Sequence, residues 1–148
     1  MNIQDTAERA LARMRRQGFD EAQVGASVTV LTELNLNHNE PSLMRSTEQH
    51  KLSLLGIVDG RKASTELGNP GDDEAVRERI ASLFADAGSA PHDEANAVSG
   101  GQRVDIVQGP QAADEALLAD KVRELLLFRE RETPKMMLEE SALLHATQ

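Results

Sequence analysis

At Ala22 the sequence changes its period. Ala22, Val24, Ala26, Val28 and Val30 alternate with Gln23, Gly25, Ser27 and Thr29. Strict alternation puts successive side chains on opposite faces of a strand, one on a core and one in water. The pattern runs on through Thr32-Glu33-Leu34-Asn35-Leu36 until Asn37-His38-Asn39-Glu40-Pro41 interrupts it. A second strand, Ser42 to Gln49, is expected to return antiparallel, and a third, Lys51 to Val58, carries Leu52, Leu54, Leu55, Ile57 and Val58. Asp59-Gly60 is the strongest hairpin signal in the chain, because a type I′ turn needs positive φ at both central residues. Arg61 to Leu67 then supplies a fourth strand. Four strands with short connections make a meander.

Helices flank it. Ile3, Ala7, Ala10, Leu11 and Met14 recur at three- and four-residue spacing, with Asn2 placed to cap, Asp5 in the first turn, and Gly18 at the end. Arg13, Arg15 and Arg16 crowd the last turn, which suits the helix dipole better than it suits a site for an acidic partner. After Gly68-Asn69-Pro70-Gly71 a second helix starts, capped by Asp72 or Asp73, with Val76, Ile80, Leu83, Phe84 and Ala87 as its apolar stripe. Residues 88–102 lack periodicity and read as a linker or surface loop, followed by a short strand candidate at Val104-Asp105-Ile106-Val107. A third helix is expected from Ala112 to Arg131, with Leu117, Leu118, Val122, Leu125, Leu126 and Phe128 inward and Thr133-Pro134 as its stop. Lys135 to Leu144 resumes as a strand without a neighbour to pair with, so more protein is expected after Gln148. The fold class is α+β: an N-terminal helix, an antiparallel four-stranded meander, a helix, and the start of a second strand–helix–strand unit. The expected division is 1–87, a helix and antiparallel-sheet unit; 88–102, the linker; and 103–148, an incomplete strand–helix–strand segment.

Composition narrows the function classes. The net charge of −9 and an aromatic share of 2% offer neither a basic surface nor stacking platforms, so nucleic acid is not expected as a partner. Cysteine is absent, which excludes disulfides, thiolate zinc sites and cysteine nucleophiles. The longest apolar run, Leu125-Leu126-Leu127-Phe128, is far short of the roughly 20 residues that span a bilayer. A cytoplasmic protein that does not engage membranes is the expectation.

Chemistry is sparse. His38, His50, His92 and His145 stand singly, with no H-E-x-x-H pair to place two imidazoles on one helical face. His92-Asp93-Glu94 gathers ligand types, but in a segment that would pre-organise them poorly. Neither phosphate-binding glycine pattern occurs, nor a G-x-S-x-G nucleophile elbow. The acidic groups Asp72-Asp73-Glu74, Glu130 with Glu132, and Glu139-Glu140 read as helix-end electrostatics and solvated surface. Asn35-Leu36-Asn37-His38-Asn39-Glu40 has the polar richness of a binding loop, and equally that of a hairpin connection. Arg61-Lys62 suits edge-strand solubility. No catalytic, substrate-binding or metal residue is assigned.

Two stretches carry a resemblance. Glu40-Pro41-Ser42-Leu43-Met44-Arg45-Ser46-Thr47-Glu48 and Leu52-Ser53-Leu54-Leu55-Gly56-Ile57-Val58-Asp59-Gly60-Arg61-Lys62-Ala63-Ser64-Thr65 resemble the N-terminal domain of the TldD/PmbA family. Gly18-Phe19-Asp20-Glu21-Ala22 before the long strand and Pro134-Lys135 after the third helix fall in the family's order. These proteins were once labelled modulators of DNA gyrase and are similar to metal-dependent peptidases. The resemblance covers nearly the whole chain but only the front third of a family member. It implies that zinc and the catalytic Glu sit on an H-E-x-x-x-H helix further downstream, a motif this sequence lacks, so no catalytic or metal residue carries over. Some members, PmbA-like, lack the ligands and pair with a ligand-bearing subunit. Lys62-Ala63 stands where many members have Gly followed by an aromatic residue, which points toward that partner-type subgroup. The implied role is a non-catalytic domain that shapes a peptidase's substrate chamber and holds a homo- or hetero-oligomeric interface. The alternative is a freestanding interaction module that self-associates or pairs by β-augmentation through its last strand. A third reading, a small hydrolase using the histidines and carboxylates, rests only on their presence.

Overall fold

The structure, a computed structural model, describes residues 2–139 and 141–147. Its order is α1 (Ile3–Gln17), β1 (Glu21–Asn37), β2 (Glu40–Val58), β3 (Arg61–Gly68), α2 (Asp73–Ser89), α3 (Glu115–Glu132) and β4 (Ser141–Thr147). The strands form one sheet in the order β3-β2-β1-β4, in which β2 with β3 and β1 with β4 are antiparallel. The α+β class and the four-stranded antiparallel sheet follow the sequence expectation, but the strands are drawn differently.

Ser42–Gln49 and Lys51–Val58 are one strand, not two. At His50 the chain stays extended because Asn69 grips its backbone: the Asn69 amide donates to the His50 carbonyl at 2.6 Å, and the His50 amide donates to Asn69 Oδ1 at 3.2 Å. The broad interruption expected over Asn37–Pro41 contracts to a two-residue turn, with His38 and Asn39 at φ 51 and 66. The fourth strand of the sheet is therefore β4, which pairs from Val30↔Thr147 to Leu36↔Ser141. The last strand is not partnerless. It starts at Ser141, not Lys135; Glu140 and Gln148, on which two expectations fall, lie outside the described residues. Val104–Val107 is not a strand: it is irregular, pairs with no described strand, and its apolar residues are more than two-thirds exposed.

Two compact units divide the chain: Met1–Val28 with Gln49–Asp105, and Thr29–Glu48 with Ile106–Gln148. The units are thus interleaved in sequence, where 1–87, 88–102 and 103–148 would be consecutive, because β1 and β2 are long enough for each to serve both.

In the first unit α1 is capped as its sequence directs. Asn2 accepts from the Gln4 amide at 3.0 Å, and Gly18 adopts φ 108, a left-handed value that a side chain would strain. Ala10 and Met14 of α1 and Val76, Ile80, Leu83 and Ala87 of α2 close over Leu52 and Leu54 of β2. Asp72 caps α2 through the Glu74 amide at 2.8 Å. Phe19 completes this core edge-on to Phe84, ring centroids 5.1 Å apart, and lies flat against the backbone of Gly56. The Asp59-Gly60 turn has φ 49 and 67, as a type I′ hairpin requires, and Asp20 Oδ2 accepts from its Asp59 amide at 2.7 Å. The segment expected to be a linker is fastened here: Asp93 and Asn96 both donate to the Gly60 carbonyl, at 3.0 and 2.8 Å.

The second unit is smaller. Leu34 and Leu36 of β1 and Val122 of α3 are its buried centre, with Leu125, Leu126, Leu138 and Leu143 packed around them. Asp114 caps α3 through the Leu117 amide at 2.9 Å. Leu117 and Phe128, expected inward, are more than half exposed; the helix turns Leu118 and Val122 to the sheet instead. Asn39 secures the turn by accepting from the Leu138 amide at 2.7 Å while its own amide donates to the Leu138 carbonyl.

A methyl group at Gly56 would occupy the space of the Phe19 ring. Gly56→Ala is expected to destabilise the first unit by about 1–3 kcal/mol, the range typical of overpacking. Gly88→Ala, with nothing within 4 Å of the added carbon, should leave the urea midpoint within error of the parent or raise it.

Candidate interaction surface

The side chains that drew attention in sequence are placed apart. His38 lies in the β1–β2 turn, His50 within β2, His92 against Gly60 and His145 on β4. Among the described residues no three His, Asp or Glu side chains meet in a metal-holding group. Asp73 ties the helices of the first unit together: Arg13 donates to its carboxylate at 2.9 Å and to its carbonyl at 3.0 Å, and Arg9 approaches at 3.7 Å. Arg13 is thus a clasp between helices more than a dipole partner. Glu74 pairs with Arg77 and Glu132 with Arg131. Arg61 reaches across to the Ala90 carbonyl at 2.7 Å, so it holds the 90–96 segment as well as guarding an edge.

What the second unit does assemble is a candidate interaction surface. On one face of its sheet Glu33 of β1 is buried, with a tenth of its side chain in solvent. Asn35 Nδ2 donates to Glu33 Oε1 at 3.0 Å, and Arg45 Nε of β2 reaches the same oxygen at 2.6 Å. The Asn35 amide first, then Arg45, hold the Glu33 carboxyl below its ordinary value of 4.5, against the opposite pull of burial. On the other face Thr32 donates to Ser46 Oγ at 3.2 Å, and beside them opens a groove of about 440 Å³. Leu34, Pro41, Met44, Val122, Leu126 and Leu127 line it, with Arg123 and Glu130 at its rim.

The outer edge of β2 is the third element. β3 pairs only with Lys51–Val58, so among the described residues no strand covers Glu40–Thr47 on that side. Leu43 and Met44 on this stretch are 51% and 39% exposed. An ion pair, an amide, an apolar groove and an open strand edge offer recognition of another polypeptide. Sequence reasoning passed over Glu33 and Arg45 because a charge pair across two strands has no local signature. Their only trace is a Glu set between Thr32 and Leu34 in a stretch where burial was expected.

No family model matches the sequence, and no curated protein matches it. Solved structures do share the fold. TldE from Thermococcus kodakarensis superposes with a TM-score of 0.67 at 19% identity, over 95% of this chain and 33% of that one. A candidate modulator of DNA gyrase from Bacteroides thetaiotaomicron gives 0.67 at 19% identity, over 97% and 33%. A second such modulator, from Thermotoga maritima, gives 0.55 at 13% identity, over 97% and 35%. The chain spans about a third of the length of each. Among the described residues no helix is long and apolar enough to cross a membrane.

Because Glu33 titrates lower in the folded chain, its charge stabilises the fold above its ordinary pKa, and that contribution is lost as pH falls through the depressed value. Glu33→Gln is expected to lower the urea midpoint at pH 7. The gap to the parent should close in acid, where the parent's own carboxyl is neutral. A gap that does not narrow as the pH is lowered until the parent's carboxyl is protonated would mean that packing, not charge, is what Glu33 supplies.

Proposed function

We propose that this chain is a non-catalytic N-terminal domain of a TldD/PmbA-like metallopeptidase subunit, where it shapes the substrate chamber and holds a subunit interface. The observation that carries this is one of coverage: three solved structures share the fold over 95–97% of this chain, yet the chain spans only 33–35% of them. The Val58-Asp59-Gly60-Arg61 hairpin and the order of helices around it support the same family. So does the surface of the second unit, whose apolar groove and ion pair have the chemistry a polypeptide partner would meet. Proteolysis, in this reading, belongs to the whole assembly in the cytoplasm. The family's zinc does not fit the residues present: no H-E-x-x-x-H run occurs, and the described side chains gather no ligand set. The metal would be held elsewhere in the assembly.

The reading of a freestanding module that recruits a partner through a lone last strand loses its motive, since β4 pairs with β1 along its whole length.

Two measurements test the proposal. The chain produced alone should show no peptidase activity, with or without added Zn²⁺. An antibody raised against it should detect, in its own cells, a species about three times heavier than 16.1 kDa, as the one-third coverage requires. A native species of 16.1 kDa, or activity abolished by His50→Ala or His92→Ala, would overturn it.

A further inference from the structure

α1 and α2 enclose a cleft of about 360 Å³ in the first unit. Arg13 and Arg16 line it from α1, and Asp73, Glu74 and Arg77 line it from α2. Three guanidiniums thus face two carboxylates, and Arg9 adds a fourth cation beside Asp73, in a chain whose net charge is −9. Like charges held close repel one another unless opposite charge answers them, and two carboxylates answer only part of this set.

Those carboxylates are also committed. Asp73 accepts from Arg13 through both its carboxylate and its carbonyl, and Glu74 pairs with Arg77. The contacts hold two guanidiniums in place without exhausting their N–H groups. Arg16 is exposed and makes no side-chain hydrogen bond or ion pair with any described residue. The cleft has donors to spare, while its acceptors are taken.

We propose that this cleft binds a phosphate group, either free or carried by a small monoester. A planar carboxylate is matched by the fork of one guanidinium, whereas a tetrahedral dianion presents oxygens to several at once. Here the spare donors come from two helices, Arg13 and Arg16 on one side and Arg77 on the other. A cleft of about 360 Å³ has the volume of about a dozen waters at roughly 30 Å³ each, more than one phosphate fills. Buried Ile80 and the arginine stems give the remaining space an apolar wall, against which the carbon body of an ester would lie. Asp73 and Glu74 serve as holders of the arginines, not as ligands. In the sequence Arg13 and Arg16 show only a crowded helix end, because Arg77 joins them through the packing of α1 on α2. The proposal rests on the first unit alone and not on the peptidase reading.

The test is an NMR titration of the isotope-labelled chain with inorganic phosphate and with glycerol 3-phosphate, against sodium chloride at matched ionic strength. Amides of residues 13–17 and 73–80 are expected to shift saturably with both phosphates. Tighter binding of the ester would assign the cleft to an organic phosphate, and equal binding would assign it to the free ion. Arg16→Ala is expected to weaken binding about tenfold or more, the worth of one hydrogen bond between charged groups. Arg15→Ala, on the same turn but outside the cleft, should leave the affinity unchanged. Both positions are exposed, so neither variant should disturb the fold. No saturable shift, the same shifts with chloride, or equal losses in the two variants would overturn the proposal.

Discussion

The structure depends on the antiparallel pairing of two long strands, β1 over Glu21–Asn37 and β2 over Glu40–Val58. A strand that alternates apolar and polar residues is unstable until one face is covered, and strands this long outrun any single helix. The chain covers them piecewise. Ala22 and Val24 of β1 and Leu52 and Leu54 of β2 join a core with α1 and α2, while Leu34 and Leu36 join one with α3. Each unit thus has its own small hydrophobic centre. With almost no aromatic residues in the chain, the second centre is wholly aliphatic, and the first adds one aromatic pair, Phe19 with Phe84, where Gly56 leaves room for the Phe19 ring.

Covering is not uniform along the hairpin. In the first unit two helices lie over the strands, and the 90–96 segment is bonded to the Gly60 carbonyl at the turn. In the second, α3 covers β1 and β4 but leaves Ser42–Thr47 of β2 open on its surface and along its edge. The polar groups found there, Glu33, Asn35 and Arg45, satisfy one another instead of solvent. The second unit thus keeps a paired charge beneath a strand whose outer edge no described strand covers. This agrees with the role proposed for the domain, in which catalysis lies in the rest of the assembly.

Local signals were legible residue by residue. Asn2, Gly18, Asp72 and Asp59-Gly60 were each recognisable because a cap or a type I′ turn is made by a few neighbouring residues and its geometry is specific. The stripe of α2 could be read for the same reason: Val76, Ile80, Leu83 and Ala87 lie on one side of a regular helix. In α3 the stripe was read too widely. Leu117 and Phe128 are apolar, but they lie off the side of the helix on which Leu118 and Val122 are buried. The surface in the second unit was nearly invisible, because Glu33 meets Arg45 only through strand pairing.

By itself the sequence determined that three helices form and near which residues, that the middle of the chain is an antiparallel sheet, and which face of β1 is apolar, although α3 begins at Glu115 and not at the expected Ala112. Those properties follow from side-chain period and from capping and turn chemistry, which act over a few residues. Only the tertiary structure decided that β2 passes His50 unbroken, that Ser141–Thr147 closes the sheet beside β1, and that Val104–Val107 stays outside it. Strand partnership is a contest among edges far apart in sequence, settled by loop length and by which faces find cover, and no local pattern encodes its outcome.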